Sequence, residues 1–377
     1  MILIQPPSKE LLEIARGEIP QRESDRLIDS AISDSTGISD HEFAALLSER
    51  ALCRLEESAS AAKELTLKYF GRTVELYIPL YISNYCSGGC AYCGFASDRN
   101  IKRRRLSKEE IRKEASGIAS GGFDEILLLT GERGSPGDLD HLSSGIGICA
   151  ESFNRVTAET FPMETAEYTS LVSDGLFGIT VYQETYDREI YEKLHRWGKK
   201  KDFDYRYETP FRALLAGARQ IGTGALLGLS EPAFDLLSLA AHAKEIRRAD
   251  KDAYISISFP RIRPEPGGFD PAYNISDRRL AAFIFAFRLK FPHFHLVLST
   301  REGPVFRDGM AGLGISKMST ASRTTVGGYL DLDESGSGKQ FEISDKRSRK
   351  DFCAALCKKG LTPVYKNWDR AYIKNGT

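Results

Sequence analysis

The sequence of 377 residues lacks an excess of charge of either sign and lacks any long hydrophobic run. Basic and acidic residues number 52 each, which argues against a nucleic-acid partner bound by bulk electrostatic attraction. No segment reaches the roughly 18 uninterrupted apolar residues that span a membrane. The opening residues, MILIQPPSKE, carry no basic stretch followed by an apolar one. We therefore expect no signal peptide, no membrane partner and a cytoplasmic protein.

Cysteine is scarce as well, and its seven positions form an odd set with no regular disulfide spacing. In a reducing compartment, clustered cysteines bind metals more often than they form disulfides. Three of the seven are clustered, at Cys86, Cys90 and Cys93 in the stretch CSGGCAYC. The 41% of apolar residues are enough to fill a large core. The composition thus favours a cytosolic enzyme with one metal-binding loop.

After a polar and helical start that ends near Gly71, short β-rich runs alternate with helical patterns. The predicted strands are VELYIPLY (74–81), EILLLT (125–130), RVTAE (155–159), GITVYQ (178–183), TGALLGL (223–229), ISISFP (255–260), HLVLST (295–300) and KMST (317–320). Eight strands alternating with helices predict a TIM-type (βα)8 barrel, with an open doubly wound sheet as the alternative. We expect an N-terminal helical extension over 1–72, the barrel over 73–329 and a C-terminal cap segment over 330–377.

The cysteine loop directly follows the first predicted strand, which places it at the C-terminal mouth of a barrel, where barrel enzymes have their active sites. Three thiolates bind three irons of a [4Fe–4S] cube and leave the fourth iron open for a ligand. Gly88 and Gly89 let the backbone bend around such a cluster. The alternative is a zinc site, although zinc normally needs a fourth ligand, and the six histidines are distant in sequence.

The CxxxCxxC pattern is typical of the radical S-adenosylmethionine (SAM) superfamily, and further segments are similar to one family within it. The sequence resembles the ThiH-type tyrosine lyases (2-iminoacetate synthases) over roughly residues 40 to 370. The similar segments are PLYISNYCSGGCAYCGFASDRNIKRRRLSKEEI, LLLTGERG, VYQETYDREIYEKLH, KKKDFDYRYETPFRA, GALLGLSE, SISFPRIRPEPGG, LSTRE and VGGY. They follow one another in the same order as in that family.

The resemblance implies a [4Fe–4S] cluster and SAM as cofactors. It implies cleavage of the Cα–Cβ bond of L-tyrosine to 2-iminoacetate and p-cresol, for the thiazole moiety of thiamine. The implied partners are a ThiG-like thiazole synthase and a flavodoxin- or ferredoxin-type reductant. Alternatives are a tryptophan-lyase-like or CofH-like radical SAM enzyme and, from another class, a non-catalytic zinc-binding protein.

Polar residues at the ends of predicted strands are the candidates for the remaining site. Tyr92 is placed to contact the SAM nucleoside. The family resemblance implies SAM contacts for Gly131, Glu132, Glu159, Gln183 and Arg206. Ser299 and Arg301 share one face of the seventh strand, and an arginine fork beside a hydroxyl suits an amino-acid carboxylate. We assign the chemistry to the radical derived from SAM and to no side chain.

Three further features have simpler interpretations. The basic run of Arg99 and residues 102–105 could meet an acidic electron donor or SAM, although a solvated surface is the more ordinary expectation. The same interpretation applies to residues 199–201. Cys353 and Cys357 lie four residues apart on one predicted helix, where we expect them to pack rather than to bind a second cluster.

Overall fold

The computed structural model describes residues 5–33, 37–330 and 338–365. Before the first strand, the described residues contain the α-helices α1 (Lys9–Arg16), α2 (Gln21–Ser33), α3 (Asp40–Leu46) and α4 (Leu55–Phe70). Ser39 caps α3 in a reciprocal capping box with Glu42. The helices bury their apolar faces against the barrel, where the rings of Phe43 and Phe287 meet edge to face at 5.1 Å.

Eight parallel strands follow and close into a barrel. They are β1 (Thr73–Tyr81), β2 (Glu125–Leu129), β3 (Arg155–Glu159), β4 (Leu176–Glu184), β5 (Gln220–Ala225), β6 (Tyr254–Ser258), β7 (His295–Leu298) and β8 (Lys317–Ser319). Because β1 pairs with both β2 and β8, the sheet has no open edge at this point. The predicted barrel is confirmed, and the open doubly wound sheet is excluded.

Helices connect the strands and complete the outer layer. They are α5 (Lys108–Ser120), α6 (Gly137–Ala150), α7 (Thr165–Ser173), α8 (Arg188–Leu194), α9 (Phe203–Tyr207), α10 (Thr209–Leu215), α11 (Pro232–Ala249), α12 (Asp277–Lys290), α13 (Pro304–Met310) and α14 (Arg349–Lys358). A ninth strand, β9 (Thr362–Val364), pairs in parallel with the start of β1. None of these helices, within the described residues, is long and apolar enough to cross a membrane.

The beginning of the barrel is closed by buried charged groups rather than by aliphatic side chains. Arg155 donates to the carboxylates of Glu75 and Glu125, and the ammonium of Lys317 lies within 2.7 Å of both. Tyr254 donates to Glu75 at 3.0 Å. Since buried charges persist only when they are paired, this cluster forms a fixed floor under the barrel interior.

Part of the predicted C-terminal cap lies across the other end of the barrel. The backbone N–H of Ser344 donates to the carbonyl oxygen of Thr300 at 2.9 Å, and that of Gln340 donates to the carbonyl oxygen of Thr324 at 3.2 Å. The mouth is therefore partly covered by residues 338–345. Of the predicted cap segment (330–377), residues 331–337 and 366–377 lie outside the described residues.

Candidate active site

The cysteine loop runs along the segment that follows α8. The N–H of Ala91 donates to the carbonyl of Leu194 at 2.9 Å, and the N–H of Gly89 donates to that of Trp197 at 3.1 Å. A side chain at Gly89 has no room, because an added Cβ would lie 2.3 Å from the Trp197 ring. The loop is thus positioned by a chain segment about 100 residues away.

Two arginines of the basic run fasten the same loop, contrary to the expected solvated surface. Arg103 donates to the carbonyl oxygens of Asn84 at 2.6 Å, Phe95 at 2.8 Å and Ala96 at 2.6 Å, on both sides of the cysteines. Arg99 donates to the carbonyl of Ala91, inside the loop, at 2.7 Å. Their planar guanidinium groups satisfy several backbone acceptors at once.

The three thiols lie on the inside of the loop. Gly88 separates two of them, because a Cβ on this residue would lie 3.6 Å from Cys86 Sγ and 3.9 Å from Cys90 Sγ. Backbone N–H groups point at the sulfurs, from Gly88 to Cys86 at 3.4 Å and from Phe95 to Cys93 at 3.4 Å. Hydrogen bonds of this kind suit cluster-bound thiolates and influence their redox potential.

Burial raises the pKa of all three thiols, that of Cys90 to about 12. Binding of iron would therefore release protons, as it does wherever thiols become ligands. No three or more His, Cys, Asp or Glu side chains in the described ranges are arranged to hold a single metal ion. A [4Fe–4S] cube makes a different demand, since each thiolate binds its own iron and the three need not converge on one point. The donor set therefore fits a cube.

Gly131 and Glu132 follow β2 and pack directly on the cysteine loop. A Cβ on Gly131 would lie 2.3 Å from the carbonyl oxygen of Tyr85 and 2.6 Å from Cys86 Cβ. The N–H of Glu132 donates to Cys86 Sγ at 3.2 Å, and its carbonyl accepts from the N–H of Ser87 at 3.1 Å. Gly131 therefore permits a close backbone approach that places Glu132 beside the cysteines.

Charged side chains of both signs gather next to the loop. Glu184, at the end of β4, accepts from Lys200 at 2.5 Å and lies 3.7 Å from Arg206. Burial alone would raise the pKa of Glu184, but the two cations hold it below its ordinary value. Burial raises the pKa of Glu132, against the opposing effect of Arg206 and Lys200. Lys200 was expected to be solvated, and this expectation was wrong, because it is drawn to a buried carboxylate.

Backbone strain marks the same place. Glu184 has a φ of 73°, in the left-handed region that residues with a Cβ seldom adopt, and the pairing of β4 with β5 shifts between Tyr182 and Glu184. Arg206 donates through Nε to the carbonyl of Tyr182 at 2.8 Å. Strained residues of this kind cluster at functional sites, where the surrounding structure holds them in place.

Glu159 and Gln183 lie in different surroundings. Glu159 faces the barrel interior, where burial and the nearby Glu184 raise its pKa to about 7 although Arg301 acts against them. Gln183 is buried and donates to the carbonyl of Phe203 at 3.2 Å, in α9, and its Oε1 has no partner among the described residues. Tyr182 and Glu184 line the cavity beside the cysteine loop, whereas Gln183 does not.

Tyr92 makes a defined hydrogen bond inside the loop. Its hydroxyl lies 2.7 Å from Nε2 of His195, whose Nδ1 lies 2.8 Å from the carbonyl of Tyr191. Since a carbonyl only accepts, Nδ1 carries the proton and Tyr92 is the donor to Nε2. Burial lowers the pKa of His195 to about 3, so the ring is neutral at pH 7.

Three adjoining cavities run from the loop into the barrel. The cluster-side cavity, of about 530 Å³ including the space at its opening, is lined by Tyr92, Cys93, Glu159, Glu184, Lys200 and Arg301 among others. The central cavity, of about 680 Å³ on the same measure, shares Glu159 and Arg301 with it and adds Ser299. The inner cavity lies toward the floor and includes Glu125 and Lys317.

Ser299 and Arg301 both line the central cavity, but β7 ends at Leu298, so they reach it from the loop after the strand and not from a shared strand face. The Arg301 guanidinium lies 3.4 Å from the centroid of the Phe341 ring, which belongs to the segment across the mouth. Arg261 and Arg263, which follow β6, both pair with the carboxylate of Glu302. Arg301 is the member of this group that lines both the central and the cluster-side cavity.

The remaining cysteines are free thiols. On α14, the sulfur of Cys353 lies 2.8 Å from the hydroxyl of Tyr365, so this residue packs as expected. Cys357 is exposed, and the expectation that it packs was wrong because it lies on the outer side of the helix.

Comparison with known proteins now places the chain. A family model of the radical SAM superfamily matches residues 80–243, and one of the Biotin and Thiamin Synthesis associated domain matches residues 258–362. The 2-iminoacetate synthase of Escherichia coli (strain K12) is 41% identical over 326 residues, which cover 86% of each chain. The chain belongs to the 2-iminoacetate synthase family of radical SAM enzymes.

Other relatives agree with this placement. The 2-iminoacetate synthase of Salmonella typhimurium is 40% identical over 88% of both chains. Among solved structures, the [FeFe]-hydrogenase maturase HydG from Carboxydothermus hydrogenoformans matches with a TM-score of 0.86 and 29% identity, over 95% of this chain and 83% of that one. The predicted radical SAM tyrosine lyase of the 2-iminoacetate synthase family, with its [4Fe–4S] cluster and SAM, is thereby confirmed.

Sequence reasoning missed several residues around the site of this 2-iminoacetate synthase family member. Lys200 and Tyr182 line the cluster-side cavity, yet one lies in a run of lysines and the other inside a strand. Gln340 places its Nε2 3.9 Å from Cys93 Sγ and accepts from the hydroxyl of Tyr81 at 2.6 Å. The one sequence signal for Tyr182 is its position two residues before Glu184 at the end of β4, since residues two apart on a regular strand share a face.

Proposed function

We propose that Cys86, Cys90 and Cys93 hold the [4Fe–4S] cluster of this tyrosine lyase, with SAM in the cluster-side cavity and L-tyrosine in the central cavity. The observation that carries this arrangement is the wall that the two cavities share, formed in part by Glu159 and Arg301. Because the two cavities adjoin at these residues, a radical formed in one can reach a substrate in the other without passing through solvent. When bound and reduced, the cluster supplies the electron that splits SAM into methionine and the 5′-deoxyadenosyl radical.

The charged groups beside the loop suit the methionine part of SAM. Its ammonium and sulfonium are cations, and Glu132 and Glu184 are the carboxylates next to the cysteines. Its carboxylate matches Arg206, which is buried within 3.7 Å of Glu184. Opposite charges in a site of low polarity interact more strongly than in water. Tyr92 is held by His195 where the loop faces the nucleoside, whereas Gln183 supports α9 and has no SAM contact in this proposal.

The tyrosine carboxylate is assigned to Arg301 and Ser299. Arg301 offers a bidentate fork, and stacking on Phe341 fixes the plane of its guanidinium. The amino group then lies toward the cluster-side cavity, where Glu159, whose pKa burial raises to about 7, lines both cavities. Glu159 is therefore suited to accept a proton from the substrate ammonium, so that the neutral amine is the group that loses a hydrogen atom.

Two partners follow from this chemistry. The cytoplasm, as a reducing compartment, suits the free thiols of the protein. The product 2-iminoacetate hydrolyses in water, so direct transfer to a ThiG-like thiazole synthase would protect it. The reductant would be a flavodoxin or ferredoxin. Trp197 supports a docking place beside the cluster, because it packs on the cysteine loop at Gly89 and is 40% exposed, with Arg196 over its ring. Arg196 is itself paired with Asp98 at 2.8 Å, so the exposed aromatic ring is what this surface offers a partner.

Replacement of Cys90 by alanine tests the cluster assignment. We expect the reconstituted variant to lose iron and sulfide, and to release neither 5′-deoxyadenosine nor p-cresol from SAM and tyrosine. Cys357→Ala is the matched control, since it removes an exposed thiol outside the site and should behave as the wild type. A Cys90 variant with full iron content and full SAM cleavage would contradict the assignment. Products from tryptophan in place of p-cresol would contradict the assignment of tyrosine.

A further inference from the structure

The central cavity has two distinct ends. Toward the cysteines it shares Glu159, Arg301 and Phe341 with the cluster-side cavity. Toward the floor it shares Tyr77, Leu127, Ser258 and Val297 with the inner cavity, and Tyr182 lines all three. A ligand that fills the central cavity therefore meets charged groups at one end and hydroxyl and aliphatic groups at the other.

The direction of bound tyrosine follows from these ends. Its carboxylate and amino group belong beside Arg301 and Glu159, and its phenol lies on the opposite side of Cα. The outward direction is covered by Gln340 and Phe341, which line the cavity from the mouth. The phenol therefore extends toward the floor.

The chemistry of the floor-facing end matches a phenol. Leu127 and Val297 are buried aliphatic side chains that suit the two faces of an aromatic ring. Ser258 pairs in register with Val297, and the hydroxyl of Tyr182 donates to its Oγ at 3.1 Å. Since Ser258 Oγ accepts this bond, its own proton remains available to donate to an acceptor in the cavity that Ser258 lines.

We propose that Ser258, oriented by Tyr182, donates a hydrogen bond to the phenol oxygen of the substrate and is the residue that distinguishes tyrosine from phenylalanine. This inference rests on the proposed function, because it takes the carboxylate position at Arg301 as given. A site that hydrogen-bonds a substrate hydroxyl discriminates against an analogue without one, since its own polar group is then left unpaired. Gly224 on β5 pairs with Ser258 on β6 and makes room for the Tyr182 ring, because a Cβ on Gly224 would lie 2.9 Å from that ring.

Binding without turnover tests the inference. The dissociation constants of L-tyrosine and L-phenylalanine are measured by anaerobic calorimetry on the reconstituted enzyme with SAM and no reductant. We expect Ser258→Ala to weaken tyrosine binding about tenfold, the value of one neutral hydrogen bond, and to leave phenylalanine binding unchanged. Tyr182→Phe should reduce the tyrosine preference in the same direction, because it leaves Ser258 unoriented.

Ser256→Ala is the matched control, since Ser256 lies two residues earlier on β6 and lines only the inner cavity among the three. It should leave both constants unchanged. If Ser258→Ala keeps the preference for tyrosine over phenylalanine, the inference is overturned. It is also overturned if that preference is lost in Tyr77→Phe and not in Ser258→Ala. Failure of the wild type to bind tyrosine at all, with binding of another amino acid, would instead reject the proposed function.

Discussion

Replacement of Gly131 by alanine should disable the cluster loop while the barrel stays folded. The added Cβ would lie 2.3 Å from the Tyr85 carbonyl oxygen and 2.6 Å from Cys86 Cβ, whereas ordinary contact begins at 3.4 Å. Both neighbours are held by the backbone, so the two loops must separate by about 1 Å. That separation breaks the 3.2 Å hydrogen bond from the Glu132 N–H to Cys86 Sγ and moves Cys86 away from its partners.

The cost to the fold should be modest, since overpacking at one site typically destabilises by about 1–3 kcal/mol. The assay is iron and sulfide content per chain after anaerobic reconstitution, with thermal unfolding followed in parallel. Gly134→Ala is the matched control in the same loop, because its Cβ would lie 3.6 Å from Ser87 Cβ, in ordinary contact. We expect full cluster content in the control and a large loss in Gly131→Ala. Equal content in the two variants would refute the packing argument.

Two further predictions concern the substrate and stability. Arg301→Ala should weaken tyrosine binding while SAM cleavage without tyrosine persists, because the carboxylate loses its fork; unchanged tyrosine affinity would remove Arg301 from the site. Burial lowers the pKa of His242 to about 3, below its value of about 6.5 in an unfolded chain. The unfolded chain then binds the proton first, so stability falls as the pH drops from 6.5 toward 3, at about 1.4 kcal/mol per pH unit for this group. His242→Phe keeps the stack on Tyr207 and should flatten that slope in chemical unfolding, and an unchanged slope would contradict this account.

The barrel and the cluster loop were predictable because their signals are local. Each strand is a short contiguous stretch bounded by helical patterns or turn residues, and the eight predicted runs overlap the eight barrel strands with shifts of a few residues at their ends. The cysteines lie within eight residues of one another, so their spacing alone indicates three ligands on one loop. The position of that loop after β1 then follows from the general geometry of barrels.

The charged groups around the loop were less predictable, since they depend on contacts between distant residues. Lys200 and Arg103 stand in basic runs that look like solvated surface, yet one meets the carboxylate of Glu184 and the other meets the backbone beside the cysteines. Gln183 donates to a carbonyl of α9, a contact that its position in the sequence does not indicate. When polar residues occupy both faces of a strand end, the sequence does not reveal which alternate residues face the barrel interior.

The sequence by itself determined that three cysteines follow the first strand of a barrel and that the family is that of the 2-iminoacetate synthases. Only the tertiary structure decided which polar residues surround the cysteines and how the cavities adjoin. The physical reason is the range of the interactions involved. Strand propensity and ligand spacing act over a few residues, whereas the ion pairs and close glycine contacts of the site join segments that folding alone brings together.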